Sequence, residues 1–392
     1  MRSLNVTVSP VLLQVIKQLA EKKGLSQERL MEAVVELSKL FTKARSHLTR
    51  PYLDDEFLRA AYLQYFLPVN LAKIQVLLDE MPVLEPVEGL SILDIGSGPG
   101  TGALAVIDWW QQQKVSRALS VTAVDGSREA LRQAEQLWNG YCRASSIQEA
   151  DLQTHVGDLE RQAWLEQIRQ KGPFDLIIIA NCLNEIYINA NDPITAQTAL
   201  VDGALALLAP HGTMMIVEPA LRKTSRVLHQ VRDQLLHMKR CTVYSPCLHE
   251  NGCPSLINPD DWCHEERAWN PPLVIKEIDK EVGFIKDALK FSYLLLRKDG
   301  KTIVERGTDT YRVVSELREF KGEKRAWLCN EQGRQEVGRQ DRLASPHNTA
   351  LDQWHRGAIV QIEKIVHKER NGKVSALGRI EQDAAVQMVR SV

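Results

Sequence analysis

The segment LDIGSGPGTG, residues 93–102, constrains the fold of this chain more than any other stretch. It joins an apolar run, LSILDIG, to a helical pattern, TGALAVIDWWQQQ, through a turn that is rich in glycine. Glycine tolerates positive φ and lets the backbone approach a ligand closely. A strand, a glycine turn and a helix in this order predict the first unit of a parallel α/β sheet.

The alternation of strand and helix patterns continues downstream. The runs ALSVTAVDGS, PFDLIIIANCL and HGTMMIVEP have the length and apolar character of buried strands, and helical patterns separate them. Apolar strands that alternate with helices are typical of a parallel sheet covered on both faces. We therefore predict an α/β, Rossmann-like domain.

The rest of the chain has different residue patterns. The whole sequence, with 44% hydrophobic and 25% charged residues, has an ordinary composition for a globular protein. Helical spacing of apolar residues predicts a helical N-terminal region over 1–85, which PVLEPVEG ends. The α/β domain would then cover 86–300, with a cysteine-rich insertion at 240–270. Short strand patterns between Gly-, Asn- and Lys-rich turns predict a small C-terminal β module over 301–392.

The glycine spacing G-x-G-x-G resembles the first motif of class I S-adenosylmethionine-dependent methyltransferases. Asp125 ends the next strand, where an acid can accept hydrogen bonds from both ribose hydroxyls. Asp158 stands where such enzymes usually place an acid beside the adenine. A tight structural turn is the alternative reading of the glycines. The residues that the resemblance assigns to the cofactor are Asp94, Gly96, Gly98, Gly100, Asp125, Asp158 and Asn181.

The strand in FDLIIIANCLNEI ends at Asn181, and Asn181 and Glu185 are the candidates for contact with the reacting group. The Asn-Pro-Pro-Tyr or Asp-Pro-Pro-Tyr run of many exocyclic-amine methyltransferases is missing here. Cys182 is a candidate nucleophile, but a small buried apolar residue is the simpler interpretation. No general base is evident, and methyl transfer depends mainly on positioning donor and acceptor.

Three cysteines, Cys247, Cys253 and Cys263, lie within the polar, proline-rich segment YSPCLHENGCPSLINPDDWCHEE. In a reducing compartment such clusters ligate metals more often than they form disulfides. Four thiolates suit zinc or an iron-sulfur cluster, although the separations of six and ten differ from paired C-x-x-C zinc knuckles. Cys329 is a candidate fourth ligand, and unrelated buried cysteines are the alternative to a metal site. The other candidates for the fourth position are His249, His264 and Cys241.

The combination of LDIGSGPGTG, NCLNEI, the cysteine segment and LCNEQG resembles the small-subunit ribosomal RNA methyltransferase-like proteins, which are known from mitochondria as ribosome assembly factors and occur in bacteria. The stretch AAYLQYFLPVNLAKIQVLLDEM resembles the helical segment of that family, so the resemblance covers most of the chain. WCHEE differs, because acids follow the histidine where an aromatic residue is expected. The resemblance implies a 4Fe-4S cluster on Cys247, Cys253, Cys263 and Cys329.

Positive charge is concentrated in the C-terminal half, although the formal net charge is only -1. Residues 221–246 contain six Lys or Arg against one Asp, a net of +5, and residues 301–392 contain 17 against 13, a net of +4. A solvated helix face would explain the first cluster, but with the resemblance we predict binding of ribosomal RNA phosphates. The candidate RNA-binding residues are Arg222, Lys223, Arg226, Arg232, Lys239 and Arg240.

The sequence contains no apolar run of about 18 residues, the length that spans a bilayer, and its N-terminus lacks the features of signal and transit peptides. We therefore predict a cytoplasmic protein without a membrane partner. The predicted function is S-adenosylmethionine-dependent methylation of small-subunit ribosomal RNA in the pre-ribosomal small subunit. The alternatives are a non-catalytic, iron-sulfur assembly factor that binds S-adenosylmethionine and RNA, and a small-molecule methyltransferase with structural zinc.

Overall fold

The computed structural model describes residues 8–21, 26–42, 52–82, 89–114, 117–370 and 372–391. The chain divides into two compact units, Met1–Leu221 with Ala268–Phe291, and Arg222–Arg267 with Ser292–Val392. The predicted boundary at residues 85 and 86 lies outside the described residues. The predicted domain ranges stay predictions, because compactness does not test whether a segment folds independently.

The helices of the described residues follow the apolar periodicity of the sequence. Side chains cap several of them: Asp55 accepts hydrogen bonds from the first turn of α3 (Glu56–Ala61), and Ser127 accepts one from the first turn of α6 (Arg128–Ala144). A π-helical turn, Tyr62–Phe66, joins α3 to α4 (Leu67–Glu80). The helices are α1 (Pro10–Glu21), α2 (Gln27–Thr42), α3 (Glu56–Ala61), α4 (Leu67–Glu80), α5 (Thr101–Gln112), α6 (Arg128–Ala144), α7 (Ala163–Arg169), α8 (Pro193–Leu205), α9 (Arg222–His237) and α10 (Leu273–Val282).

The strands alternate with helices up to α9 and dominate the chain after α10. The strands are β1 (Leu90–Ile95), β2 (Leu119–Asp125), β3 (Ala150–Val156), β4 (Phe174–Ala180), β5 (Leu208–Pro219), β6 (Thr242–Ser245), β7 (Glu265–Ala268), β8 (Ala288–Arg297), β9 (Thr310–Val313), β10 (Arg318–Phe320), β11 (Glu323–Asn330), β12 (Gly333–Gln340), β13 (Ile359–Ile362), β14 (Val366–Arg370), β15 (Lys373–Arg379) and β16 (Val386–Arg390).

The sheet of the first unit has the strand order β3-β2-β1-β4-β5-β8, and β8 ends in the second unit. The strands β1 to β5 pair in parallel, and Ile92 of β1 stands opposite both Val121 of β2 and Leu176 of β4. These three side chains are fully buried, as expected for a sheet with helices on both faces. The predicted mixed α/β fold is therefore confirmed. The chain order reverses between β1 and β4, which makes the carboxyl ends of these strands the topological switch point.

The second unit contains α9, β6 and the strands of the C-terminal residues. β6 pairs with β8 in antiparallel fashion, as Thr242 opposite Arg297 illustrates. The C-terminal strands have the order β14-β15-β12-β11-β9-β13-β16, with β10 beside β11. Their apolar faces enclose a core that includes Val313, Leu328 and Val360. Among the described helices, none combines the length and the apolar character that a membrane span requires.

Candidate functional site

The glycine turn after β1 has a backbone that larger residues adopt poorly. Gly96 and Gly98 have φ values of +66° and +53°. A Cβ atom on Gly96 would also lie 2.3 Å from Sγ of Cys182, far inside van der Waals contact. At Gly98 the nearest atom, a methyl carbon of Leu53, is 3.7 Å away, so only the backbone conformation demands glycine there.

Asp94 lies beneath the turn, where it supports the start of α5. Its side chain is 1% exposed and accepts a hydrogen bond of 2.9 Å from the backbone N–H of Ala103. Burial raises the pKa of Asp94 to about 7. A Cβ atom on Gly102 would lie 2.4 Å from this carboxylate, so the carboxylate packs directly on the helix backbone. Asp94 therefore has a structural role at the start of α5, and its predicted contact with a cofactor stays a prediction.

Asp125 ends β2 and holds the glycine turn in place. Its Oδ2 accepts a hydrogen bond of 2.8 Å from the N–H of Gly98, and its Oδ1 accepts one of 2.8 Å from the N–H of Ser127. A carboxylate has about four lone-pair sites, so one carboxylate can order a turn and also accept hydrogen bonds from a ligand. Asp125 also lines the cavity at the ends of the strands, and its predicted contact with a ribose stays a prediction.

A cavity of about 1180 Å³ lies at the carboxyl ends of these strands, at the switch point. It exceeds the common range of about 300–1,000 Å³ for ligand pockets, so it has room for a cofactor and part of a second ligand. The predicted residues that line it are Gly96, Gly98, Asp125, Asp158, Asn181 and Glu185. Asp158 is at its exposed rim and forms an ion pair with Arg161.

The segment after β4 presents Asn181 and buries Cys182. Asn181 has φ of +55°, and its N–H donates to the carbonyl of Val217 at 2.7 Å, so backbone geometry fixes its position. Burial raises the pKa of Cys182 well above its ordinary value, and the nearby carboxylate of Asp125 raises it further. The thiol is therefore protonated and poorly nucleophilic, as expected for a small buried residue.

An aromatic wall, Phe41, Tyr52, Tyr62 and Phe66, also lines the cavity and was missed from the sequence. The ring centroids of Phe41 and Phe66 are 5.1 Å apart, edge to face, and those of Tyr62 and Phe66 are 6.2 Å apart, stacked. Burial raises the pKa of both Tyr52 and Tyr62, so their hydroxyls are uncharged. The spacing of Tyr62 and Phe66 was the available signal, but a helical aromatic pair is usually core.

A second, smaller cavity of about 50 Å³ lies in the second unit. It is lined by all four cysteines predicted as metal ligands: Cys247, Cys253, Cys263 and Cys329. Two of the three alternative ligands line it as well, and Nε2 of His249 is 3.7 Å from Sγ of Cys329. Among the described residues, no three His, Cys, Asp or Glu side chains are grouped so that they could hold a metal ion.

The four thiols influence one another across this cavity. Burial raises the pKa of Cys263 to about 12, and Cys253 and Cys247 contribute to the increase. Burial also raises the pKa of Cys329 well above its ordinary value, with contributions from the other three cysteines. The structure therefore brings together four soft donor atoms from distant parts of the sequence.

The basic helix α9 holds the segment that lines this second cavity. Arg226 donates to the carbonyl oxygens of Ser255, Asn258 and Asp261 at 2.9, 2.8 and 2.8 Å. These bonds tie the segment between Cys253 and Cys263 to the helix. A guanidinium group presents five donors in a fixed fork, which suits this bundling of carbonyl groups.

Arg232 and Asp233 hold the first part of the cysteine segment. Arg232 is 0% exposed and donates to the carbonyl oxygens of His249 and Asn251 at 2.6 and 2.9 Å. Asp233 accepts a hydrogen bond of 2.9 Å from the N–H of Cys253. Arg232 thus has no surface with which to contact an RNA phosphate. Of the predicted RNA-binding residues, the exposed ones are Arg222, Lys223, Lys239 and Arg240.

Comparison with known proteins identifies one family. The family described as "Mitochondrial small ribosomal subunit Rsm22" matches residues 58–339. This range includes the glycine turn and all four cysteines of the second cavity. No curated protein sequence matches the chain.

The chain also matches the solved structures of several proteins. A class I S-adenosylmethionine-dependent methyltransferase from Listeria monocytogenes has 13% identity and a TM-score of 0.40, over 76% of this chain and 89% of its own. The fibrillarin/Nop5p complex has 11% identity and a TM-score of 0.32, over 58% and 79%. The mitomycin 7-O-methyltransferase MmcR has 11% identity and a TM-score of 0.33, over 67% and 60%.

Proposed function

The chain belongs to the family described as mitochondrial small ribosomal subunit Rsm22, and on that premise we propose that it methylates small-subunit ribosomal RNA during ribosome assembly. The observation that carries the proposal is the convergence of six motif residues on one cavity at the switch point. S-adenosylmethionine, when bound, would supply the methyl group. Asp125 would accept hydrogen bonds from its ribose, and Asn181 and Glu185 would face the acceptor.

Binding of S-adenosylmethionine to the full chain, measured by isothermal titration calorimetry, tests the cofactor part. We expect Asp125→Asn to weaken binding about tenfold or more, because an amide replaces a charged acceptor. Asp151→Asn is the matched control, since Asp151 is exposed on β3 and bonds only to the Gln153 side chain in the described contacts. Equal affinities of the two variants would refute the role of Asp125.

Methyl transfer is tested separately, by transfer of tritium from labelled cofactor into small-subunit precursors from a strain that lacks the protein. Label in the ribosomal RNA supports the enzyme. Cofactor binding without label supports the alternative, a non-catalytic assembly factor that binds S-adenosylmethionine and RNA. The motif for an exocyclic amine is missing after β4, and this keeps the alternative open.

We further propose that Cys247, Cys253, Cys263 and Cys329 hold a 4Fe-4S cluster. Four thiols around one cavity form a donor set of the soft kind that iron-sulfur clusters and zinc both accept. Their pKa values are raised where shifts are resolved, as for Cys263, because the thiols share a dry site, and a bound metal would take them as thiolates. The donor chemistry therefore supports a metal group without distinguishing iron from zinc, although the described side chains form no group that could hold an ion as they stand.

Anaerobic purification distinguishes the two metals. A brown protein with bound iron and sulfide supports the cluster, whereas a colourless protein with stoichiometric zinc supports structural zinc and the small-molecule methyltransferase. Cys329→Ser should lose the visible absorbance as fully as Cys253→Ser, because each change removes one of four thiolates. Cys241→Ser is the matched control, and retention of the full spectrum in Cys329→Ser would require another fourth ligand.

We propose that the exposed basic residues of α9 and the segment after it contact RNA phosphates. Arg222 and Lys223 begin the helix, while Lys239 and Arg240 follow its end. We also propose that the protein acts in the cytoplasm. In this proposal the cysteine segment is an insertion in the α/β domain, and residues 301–392 form a separate module. RNA affinity of the Lys239→Gln and Arg240→Gln double variant tests the phosphate contacts, and an unchanged affinity would refute them.

A further inference from the structure

The cavity at the switch point has a cationic end that the cofactor motifs do not explain. Lys73 on α4, Lys286 before β8 and Lys290 on β8 all line it. Lys290 is exposed, and the other two are half-buried within the first unit. Nothing in the glycine motif or in the strand-end acids requires three lysines at this place.

The strand order separates this cationic end from the part of the cavity assigned to the ribose. Asp125 ends β2, whereas Lys290 lies on β8, four strands away in the order β2-β1-β4-β5-β8. Neighbouring strands are about 4.7–4.9 Å apart, so about 19 Å separates β2 from β8. Asn181, at the end of β4, lies between them. A ligand with its ribose at Asp125 therefore leaves the lysines beyond the position of the reacting group.

The three lysines lie close enough together for their ammonium groups to influence one another. Burial, together with the ammonium group of Lys286, lowers the pKa of Lys73 to about 7, while Glu218 acts in the opposite direction. Burial lowers the pKa of Lys286, which Asp279 opposes and Lys290 promotes. Asp279 also accepts hydrogen bonds from the Tyr65 hydroxyl and the backbone N–H of Lys286. Lys286 therefore lies close enough to both Lys73 and Lys290 to repel their ammonium groups, and a bound anion would relieve this repulsion.

One helix face connects these cations to aromatic rings. Tyr62, Phe66, Asn70 and Lys73 follow one another at helical spacing, and all four line the cavity. The Nζ of Lys73 donates to Oδ1 of Asn70 at 3.1 Å, and Nδ2 of Asn70 donates to the Tyr62 hydroxyl at 3.4 Å. The π-helical turn at the start of this face is of a kind often found at functional sites.

An aromatic surface, an amide and a cluster of cations match the three parts of a nucleotide. Aromatic side chains stack on bases of any sequence, amides bond base edges, and lysines neutralise backbone phosphates. We infer that Lys73, Lys286 and Lys290 form a phosphate subsite for an RNA nucleotide whose base lies against Phe66 in the same cavity. The inference rests on the proposed function, since it names the position of the acceptor nucleotide. A base in a duplex would have to be extruded to reach it.

The test measures binding of a fluorescent single-stranded RNA of about 12 nucleotides to the full chain over a range of salt concentrations. Lys73→Gln should weaken binding about tenfold and lower the slope of log K against log salt by about 0.7, the value for one lost contact with a single strand. Phe66→Ala should weaken binding without changing the slope. Lys276→Gln, on the exposed face of α10, is the matched control and should change neither quantity.

Two further measurements keep the inference separate from the proposed function. Titration with S-adenosylmethionine alone should give the same affinity for Lys73→Gln and the unmodified chain. If the unmodified chain fails to bind S-adenosylmethionine, the proposed function fails while the salt slope still decides the subsite. An unchanged slope in Lys73→Gln, with weaker cofactor binding, would overturn the inference and assign the lysines to the cofactor carboxylate. Lys290→Gln, at an exposed residue, provides the same slope measurement if Lys73→Gln does not fold.

Discussion

Replacement of Arg232 by methionine tests whether the buried arginine of helix α9 stabilises the segment that lines the cysteine cavity. Arg232 has a side-chain exposure of 0% and donates to the carbonyl oxygens of His249 and Asn251. It also forms an ion pair with Asp233, which in turn orients the N–H of Cys253. Methionine is apolar and flexible enough to occupy the space, but it leaves these oxygen atoms without their donor.

The expected cost follows from these contacts. A hydrogen bond to a charged group contributes about 1.5–3 kcal/mol, and removal of one partner from a buried ion pair costs about 3–5 kcal/mol. Asp233 is 25% exposed, so water recovers part of the penalty. We expect Arg232→Met to lose about 3–4 kcal/mol and, at about 2–4 °C per kcal/mol, to lower the Tm of the transition that unfolds the cysteine site by about 10 °C.

Arg222→Met is the matched control on the same helix. Arg222 is 53% exposed and pairs with Asp260, which is 82% exposed, so the change should cost no more than about 1 kcal/mol. Differential scanning calorimetry of the full chain measures both variants, and iron and sulfide analysis reports on the cysteine site. Equal Tm shifts in the two variants would refute the reasoning, because they would mean that the buried contacts of Arg232 contribute no more to stability than the exposed ion pair of Arg222.

Three other outcomes are expected. Gly98→Ala should lower the free energy of unfolding by about 1–2 kcal/mol, because residue 98 has a positive φ. Gly96→Ala should lower it by about 1–3 kcal/mol more, because the added Cβ would meet Cys182. Equal midpoints of urea unfolding for the two variants would contradict the packing argument. Burial lowers the pKa of Lys73 to about 7, so the stability of the native chain rises with pH from about 7 towards 10.5. Lys73→Met should be more stable than the unmodified chain by about 2–5 kcal/mol near pH 6, because each pKa unit is worth about 1.4 kcal/mol and the partial exposure of Lys73 reduces the full value. The difference should shrink as the pH approaches 10.5, and a difference in thermal unfolding that does not depend on pH would argue against this reasoning. Cys182→Ala should retain cofactor affinity and any methyl transfer within about twofold, since burial raises the pKa of this thiol and keeps it protonated. Loss of methyl transfer with intact cofactor binding would instead support Cys182 as a nucleophile.

The α/β core was predictable because its signals are local. Alternating apolar strands and helices, with glycines at a strand end, specify a parallel sheet whatever the rest of the chain does. The same signals predicted that the glycine turn, Asp125 and Asn181 would meet, since the carboxyl ends of parallel strands share one edge. The structure brings these residues together around one cavity.

The role of helix α9 was not predictable in this way. A run of arginines in a helix has the same appearance in the sequence whether the side chains face water or carbonyl groups. Arg232 is buried only because the segment 247–253 folds against the helix and presents its carbonyl oxygens. The fully buried arginine is therefore a consequence of tertiary packing, and charge counting alone assigned it to RNA.

The sequence by itself determined the strand–turn–helix order, the acids at the strand ends and the grouping of three cysteines, because each depends on neighbouring residues. Only the tertiary structure decided that Cys329 reaches the same cavity and that Lys73 lies beside Lys286. Those pairs are distant in the chain, and their proximity depends on how strands and helices pack. Long-range packing places side chains by shape and burial, which no local pattern of residues records.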